Sequence, residues 1–276
     1  ALLPMIGLFL TVTYFNLFHP NGFKKGISHI LYAIKNKSSN IERSQMYGHI
    51  FSSALTVGFG GSAGFEAPVV ATGSAIGSNI AQYFKFSKDD KTLLLASGAA
   101  AGISAIYNAP IAGVLFAIEV LLVGVSVSAF IPLLLASATA AIVSKLTYKG
   151  QLFVLITNGW EINAIPFYVL LGIITGLYSV LIIRQNFVVE RKFFKIKNKW
   201  IRVIIGGSIL SVLIFIFPSL FGEGYFTLQS VLNLENISVL NNELLSLNEN
   251  FELLAILILL FVKIYATSIT ISAGGN

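Results

Sequence analysis

The sequence predicts an all-α, polytopic membrane protein with tilted and broken, partly re-entrant helices. Three observations carry that prediction. Hydrophobic residues make up 55% of the chain and charged residues 11%, against about 25% charged residues in a soluble domain. Mean hydropathy is +0.82. Several apolar runs reach the roughly 20 residues that a helix needs to cross a bilayer, and glycine or proline interrupts others.

In chain order, Leu2–Phe18, Thr92–Val125, Ala129–Leu146, Phe167–Ile183, Ile201–Phe221 and Leu253–Ser272 are candidate spans. Ile50–Phe84 is also apolar, but Gly58, Gly60, Gly61, Gly64, Gly73 and Gly77 interrupt it, so it reads as two shorter helices meeting at a break. The first loop, His19–Met46, is polar and basic and contains an amphipathic piece, Gly26–Ile34, that fits a small helix. Phe84–Lys91 reads as a tight turn in which Ser87 and Asp89 or Asp90 can cap the next helix. Asn108-Ala109-Pro110 breaks the following run, because proline removes a donor and clashes with the preceding turn. No low-complexity linker divides the chain, so residues 1–276 read as one transmembrane domain without a soluble domain.

The net charge of +6 does not point to nucleic acid, since the basic residues sit between the apolar runs and the expected surroundings are membrane lipid. The most basic stretch, Arg184 to Arg202, is expected on the cytoplasmic side under the positive-inside rule. Gly222–Phe251, rich in Asn and Glu, is expected on the opposite side. With no cysteine there is no disulfide, thiolate metal site or Cys nucleophile. His19, His29 and His49 lie in or near expected loops without ligand spacing, so no metal or cofactor is expected. The chain opens on Ala1 inside an apolar segment and stops at a second glycine-rich break, Ser272 to Asn276, and is expected to be part of a longer subunit.

The break at Gly60-Gly61-Ser62-Ala63-Gly64-Phe65-Glu66-Ala67-Pro68 carries a carboxylate into membrane depth. Irregular backbone survives there only where protein buries it or water reaches it, and an ionisable residue there is a functional candidate. A helix opening near Pro68 leaves unpaired N–H groups and a positive dipole end beside Glu66. Those groups attract an anion and the Glu66 carboxylate alike, which makes Glu66 a protonatable gate. Close helix packing through small residues is the plainer reading of the glycines. An intramembrane hydrolase is disfavoured, because Ala63 follows Ser62 and no His is expected in an apolar helix. The chain is not expected to be an enzyme.

Gly61 to Pro68 also resembles the G-[KR]-E-G-P region of the CLC chloride channels and proton–chloride antiporters, with Phe65 for the basic residue and Ala67 for the second glycine. Gly98 to Glu119 resembles that family's GAAAG…FNAPLAGxLFxxE segment more closely, with Tyr107 as the aromatic before Asn108. Gly222-Glu223-Gly224-Tyr225 fits as well, and Thr267–Gly275 fits the approach to a GGxFAP motif. The resemblance implies a CLC-type inverted-repeat architecture, of which this chain is about the first half to two-thirds. It implies a homodimer with one pore per subunit, in a bacterial plasma membrane. It also implies that Glu66 is the external gating glutamate, with anion-facing backbone around Gly64, Phe65, Glu66 and Ala67, and chloride or another small anion as the permeant ligand.

Three departures refine that expectation. Proton-exchanging members carry a second glutamate directly after the Glu of LFxxE, whereas Val120 follows Glu119 here. That favours passive, channel-like conduction, with Glu119 and Val120 as inner-vestibule candidates and a proton-coupled chloride or fluoride antiporter as the alternative. A non-conducting remnant is a remote third reading. The family's G-S-G-I-P element corresponds to Lys24-Lys25-Gly26-Ile27-Ser28, which puts Lys25 where a serine would meet the anion. A lysine there holds an anion as a point charge or snorkels to water. Neither Tyr225 nor Tyr265 takes the role of the family's later coordinating tyrosine.

Overall fold

The structure is a computed structural model and describes residues 2–19, 23–121, 127–148, 161–232 and 250–276. The described residues form helices and turns: α1 Leu3–Phe18, α2 Ile27–Asn36, α3 Gln45–Gly58, α4 Glu66–Tyr83, α5 Lys88–Tyr107, α6 Pro110–Phe116, α7 Val127–Thr147, α8 Ile165–Phe194, α9 Lys199–Ile216, α10 Tyr225–Leu232 and α11 Asn250–Ala273. A π turn, Ala117–Leu121, continues α6. Segments Ala129–Thr147, Ile162–Phe194, Lys199–Ile216 and Ala255–Ala273 are long and apolar enough to cross a membrane.

Local chemistry explains most boundaries. Ser87 Oγ accepts the Asp90 N–H and opens α5, as its place in the turn predicts. Asn108 closes α5 in the left-handed conformation, φ 50° and ψ 35°, and Pro110 stands in the first turn of α6, where a missing N–H is harmless. Pro218 ends α9 and starts a single 3₁₀ turn.

Two expectations need correction. The basic stretch from Arg184 is not all loop: α8 runs 30 residues and takes in Arg184, Arg191 and Lys192. Arg and Lys are good helix formers, so the helix continues past its apolar part and reaches about 45 Å at 1.5 Å per residue. The apolar run from Ile50 likewise understates α3, which starts at Gln45 and holds His49 inside it. Of the expected opposite-side loop Gly222–Phe251, residues 233–249 lie outside the described residues, as do residues 122–125 of the run ending at Val125.

The chain divides into two compact units. The first comprises Ala1–Val12, Thr56–Ala63 and Val154–Gly275, the second Thr13–Leu55, Gly64–Phe153 and Asn276. In the first, Leu8, Val12, Phe193, Val203, Leu210, Ala266 and Ile269 form the core. Tyr178 Oη of α8 donates to the Leu260 carbonyl of α11 at 2.6 Å. In the second, α2, α4, α5, α6 and α7 bury Ile30, Val70, Ala75, Leu95, Ala99, Val114 and Leu133. Backbone contact holds α4 on α5: a Cβ on Gly73 would overlap the Gly98 carbonyl, and one on Gly98 the Gly73 carbonyl. Such small-residue contacts let membrane helices approach closely without a hydrophobic driving force.

Candidate functional site

The glycine-rich break has two parts with different work. Its first part ends α3. Gly60 takes φ 93°, with Gly60 N–H to Val57 O at 2.9 Å and Gly61 N–H to Thr56 O at 2.8 Å. This is the bond pattern of a Schellman cap, in which a glycine turns left-handed and satisfies the last carbonyls. The second glycine-rich break repeats it at the end of α11, with Gly274 at φ 123°, Gly274 N–H to Ile271 O at 3.2 Å and Gly275 N–H to Thr270 O at 2.9 Å. Within the first unit the two caps meet: Ser62 N–H donates to Thr270 Oγ1 at 3.2 Å, and a Cβ on Gly275 would press on Thr56. These glycines are therefore helix stops.

The second part opens α4 and belongs to the second unit. Phe65 is the N-cap, without a side-chain cap bond, and Glu66 is the first helical residue. Pro68 falls in the first turn and is buried. The Glu66 carboxylate is half-buried and held from two sides. Its Oε1 accepts a hydrogen bond from Tyr107 Oη at 2.8 Å. Its Oε2 lies against Gly64, where a Cβ would overlap it. The Tyr107 ring packs on the core that Val70, Ala100 and Ile103 help to form, and Asn108 ends α5 directly after it. The Asn-Ala-Pro break thus delivers a phenol to the Glu66 carboxylate. Sequence reading took Tyr107 only as an aromatic; the signal for more was its hydroxyl, since a tyrosine oxygen near a core needs a partner.

The other expected site residues fall as follows. Phe65 and Ala67 flank Glu66 in the opening turn of α4, where the helix cannot itself pair their N–H groups. Lys25 is half-buried just before α2, with Nζ 4.5 Å from the centre of the Phe15 ring, a cation–π arrangement. Glu119 is exposed on the π turn, while Val120 packs against the core of the second unit. Lys263 of α11 donates to the Gly222 carbonyl at 3.1 Å.

His49 is a further correction. It lies not in a loop but inside α3, where it is 2% exposed, and His29 likewise lies in a helix, α2. A histidine is tolerated there because its ring is bonded on both sides. Its Nε2 pairs with Gln45 Oε1 at 2.9 Å and its Nδ1 with Asn276 Nδ2 at 3.1 Å. Asn276 Nδ2 also donates to Ser52 Oγ at 2.6 Å. An amide N–H₂ only donates, so Nδ1 accepts and the Nε2–H donates to Gln45. The Phe23 ring covers His49 at 4.6 Å and His19 at 4.7 Å between ring centres. Outside the spans, burial and then the charges of Lys24 and Lys37 push His29 below the ordinary histidine range, against an opposing pull from Glu42.

Residues 6–276 match the sequence profile of the voltage gated chloride channel family. The chain is 31% identical over 234 residues to the H(+)/Cl(-) exchange transporter ClcA of Vibrio parahaemolyticus, covering 81% of this chain and 49% of the relative. It is 30% identical over 186 residues to the voltage-gated ClC-type chloride channel ClcB of Escherichia coli, covering 66% of this chain and 44% of the relative. It therefore spans about half the length of these relatives. Among solved structures it resembles a CLC-type fluoride/proton antiporter, with TM-score 0.79 and 23% identity over 99% of this chain and 65% of the other. A slow cyanobacterial Cl-/H+ antiporter gives TM-score 0.77 and 21% identity over 99% and 63%. At those identities the structures support the fold.

Proposed function

Because the chain belongs to the voltage-gated chloride channel family and is an integral membrane protein, we propose that the protein carries a small monovalent anion across the membrane in exchange for protons, with Glu66 as its gate. The observation that carries this reading is the Glu66 carboxylate at the opening turn of α4. A helix N-terminus favours negative charge, so a carboxylate there stands where the anion would stand. Deprotonated, it fills the site and blocks passage; protonated, it loses the charge that holds it and yields to the anion. The Gly64, Phe65, Glu66 and Ala67 backbone forms the anion-facing turn in this reading, and the Lys25 ammonium adds positive charge from the start of α2.

Exchange is preferred over passive conduction because the Vibrio relative is named as an exchange transporter and both solved neighbours as antiporters. Passive conduction is the second reading, favoured by Val120 beside Glu119 and by the channel name of the Escherichia coli relative. Under exchange, Glu119 is the carboxylate that the π turn offers for proton passage. The proposed assembly is a homodimer with one pathway per subunit, which mass measurement in nanodiscs tests.

The deciding experiment reconstitutes the full-length protein in liposomes and imposes a chloride or fluoride gradient without a pH gradient. Uphill proton movement driven by the anion is expected; anion flux without proton movement replaces exchange by passive conduction. Glu66→Gln is expected to abolish proton movement and to leave anion flux that no longer responds to pH. Unchanged pH dependence in that variant removes Glu66 from the gate.

A further inference from the structure

We infer that Tyr107 is a positioning residue for the gate: its phenol latches the Glu66 carboxylate against the opening of α4 and sets how readily that carboxylate leaves. The inference rests on the reading of Glu66 as the gate and adds a second residue to it.

Four features of the site carry it. The Tyr107 hydroxyl donates to Glu66 Oε1 at 2.8 Å, within the normal range for an O–H donor. The donor is not free to follow the carboxylate, because the Tyr107 ring packs on the core of the second unit. The backbone behind it is fixed as well, since α5 stops at Tyr107 with Asn108 left-handed and Pro110 opening α6. Finally, the other carboxylate oxygen rests on Gly64, so the group is pinned between a rigid donor and a bare backbone.

A phenol suits this task chemically. It is neutral, so it adds no charge that would trap a passing anion. Its bond to a carboxylate is charge-assisted and weakens when the carboxylate takes up a proton. The latch therefore holds the blocking state and relaxes in the released one. A phenylalanine would fill the same core and supply no such discrimination.

Other charged groups stand on the elements packed around α5 and are common to every variant compared below. On α7, exposed Lys145 follows Ser144, whose Oγ donates to the Ala105 carbonyl two residues before Tyr107; Glu119 is exposed on the π turn. On α4, Glu66 is the charged residue, and Tyr83 stands at the opposite end. On α5, Lys88, Asp89, Asp90 and Lys91 occupy the first turn, about 24 Å along the axis from Tyr107 at 1.5 Å per residue. On α2, which also packs on α4, the groups are His29, Tyr32 and Lys35.

The test compares anion efflux from liposomes for the full-length protein, Tyr107→Phe, Glu66→Gln and the double variant, at acid and at neutral external pH. Tyr107→Phe is expected to raise neutral-pH efflux about tenfold, the scale of one hydrogen bond to a charged group, with the excess vanishing at acid pH. In the Glu66→Gln background the same change is expected to do nothing further. Site-specific 3-fluorotyrosine at position 107 keeps the shape and sharpens the donor, so it is expected to slow neutral-pH efflux; it decides the matter should Tyr107→Phe fold poorly. If Glu66→Gln alters the pH response while Tyr107→Phe and the fluorinated protein both follow the unmodified curve, the latch is wrong and the gate stands. If Glu66→Gln itself changes nothing, the gate fails and the latch with it. An equal rise at both pH values, or one that persists in the double variant, assigns Tyr107 a packing role and overturns the proposal.

Discussion

Gly64 lacks the one atom that would displace the Glu66 carboxylate, the proposed gate. Its Cβ would overlap Glu66 Oε2, which is the end of a flexible side chain and not backbone. Gly64 is also absent from the left-handed residues, so an alanine fits its backbone. Gly64→Ala is therefore expected to push the carboxylate off its seat while leaving the fold intact. Liposome efflux at neutral pH should rise, and the thermal midpoint should move by no more than a few degrees, roughly the effect of about 1 kcal/mol. His49 tests the opposite balance, a polar group whose value lies in its partners. His49→Phe keeps the ring under Phe23 but strands Gln45 Oε1 and one Asn276 bond. Stranding buried polar atoms costs about 1–3 kcal/mol each, so thermal unfolding should show a clear loss of stability. A loss of flux without loss of stability would give His49 a direct part in transport.

The helix breaks were legible because they are written in glycine and proline. Asn108-Ala109-Pro110 announces the end of α5 and the start of α6, and the Gly60 break separates α3 from α4. Helix extents were less legible: apolar composition marks what faces lipid, not where the hydrogen-bonded ladder stops. That is why α8 outran its apolar stretch and α3 began ahead of Ile50. Glu66 was readable as an expensive acid, and Tyr107 was not, because pairing across helices depends on how α4 and α5 pack. That packing is itself testable at Gly98. A side chain there would drive into the Gly73 carbonyl, which cannot move aside as a rotamer can. Gly98→Val is expected to cost more than the about 1–3 kcal/mol of ordinary overpacking. It should also separate Tyr107 from Glu66, so detergent-solubilised protein would unfold earlier and whatever folds would lose its pH response. A variant with normal stability and normal pH response would mean that α4 and α5 do not rely on this contact.

Across the whole molecule, orientation follows from charge and is open to direct measurement. Arg191, Lys192, Lys195, Lys197 and Lys199 cluster where α8 ends and α9 begins. The other end of α9 leads through Pro218 to Gly222 and Glu223. Eighteen helical residues make about 27 Å at 1.5 Å per residue, close to the roughly 30 Å hydrocarbon thickness. One passage of α9 should therefore separate Lys197 from Glu223 by the bilayer. Positive charge is retained on the cytoplasmic side, which puts Lys197 inside and Glu223 outside. These 276 residues contain no cysteine, so each single substitution adds the one thiol of this segment and the unsubstituted protein supplies the background. In intact cells, a membrane-impermeant thiol reagent is expected to label Glu223→Cys and to spare Lys197→Cys until the membrane is opened. The reverse pattern would invert the orientation. Labelling of both from outside would mean that α9 does not cross, despite its length and apolar composition, and that the basic cluster is not what orients the chain.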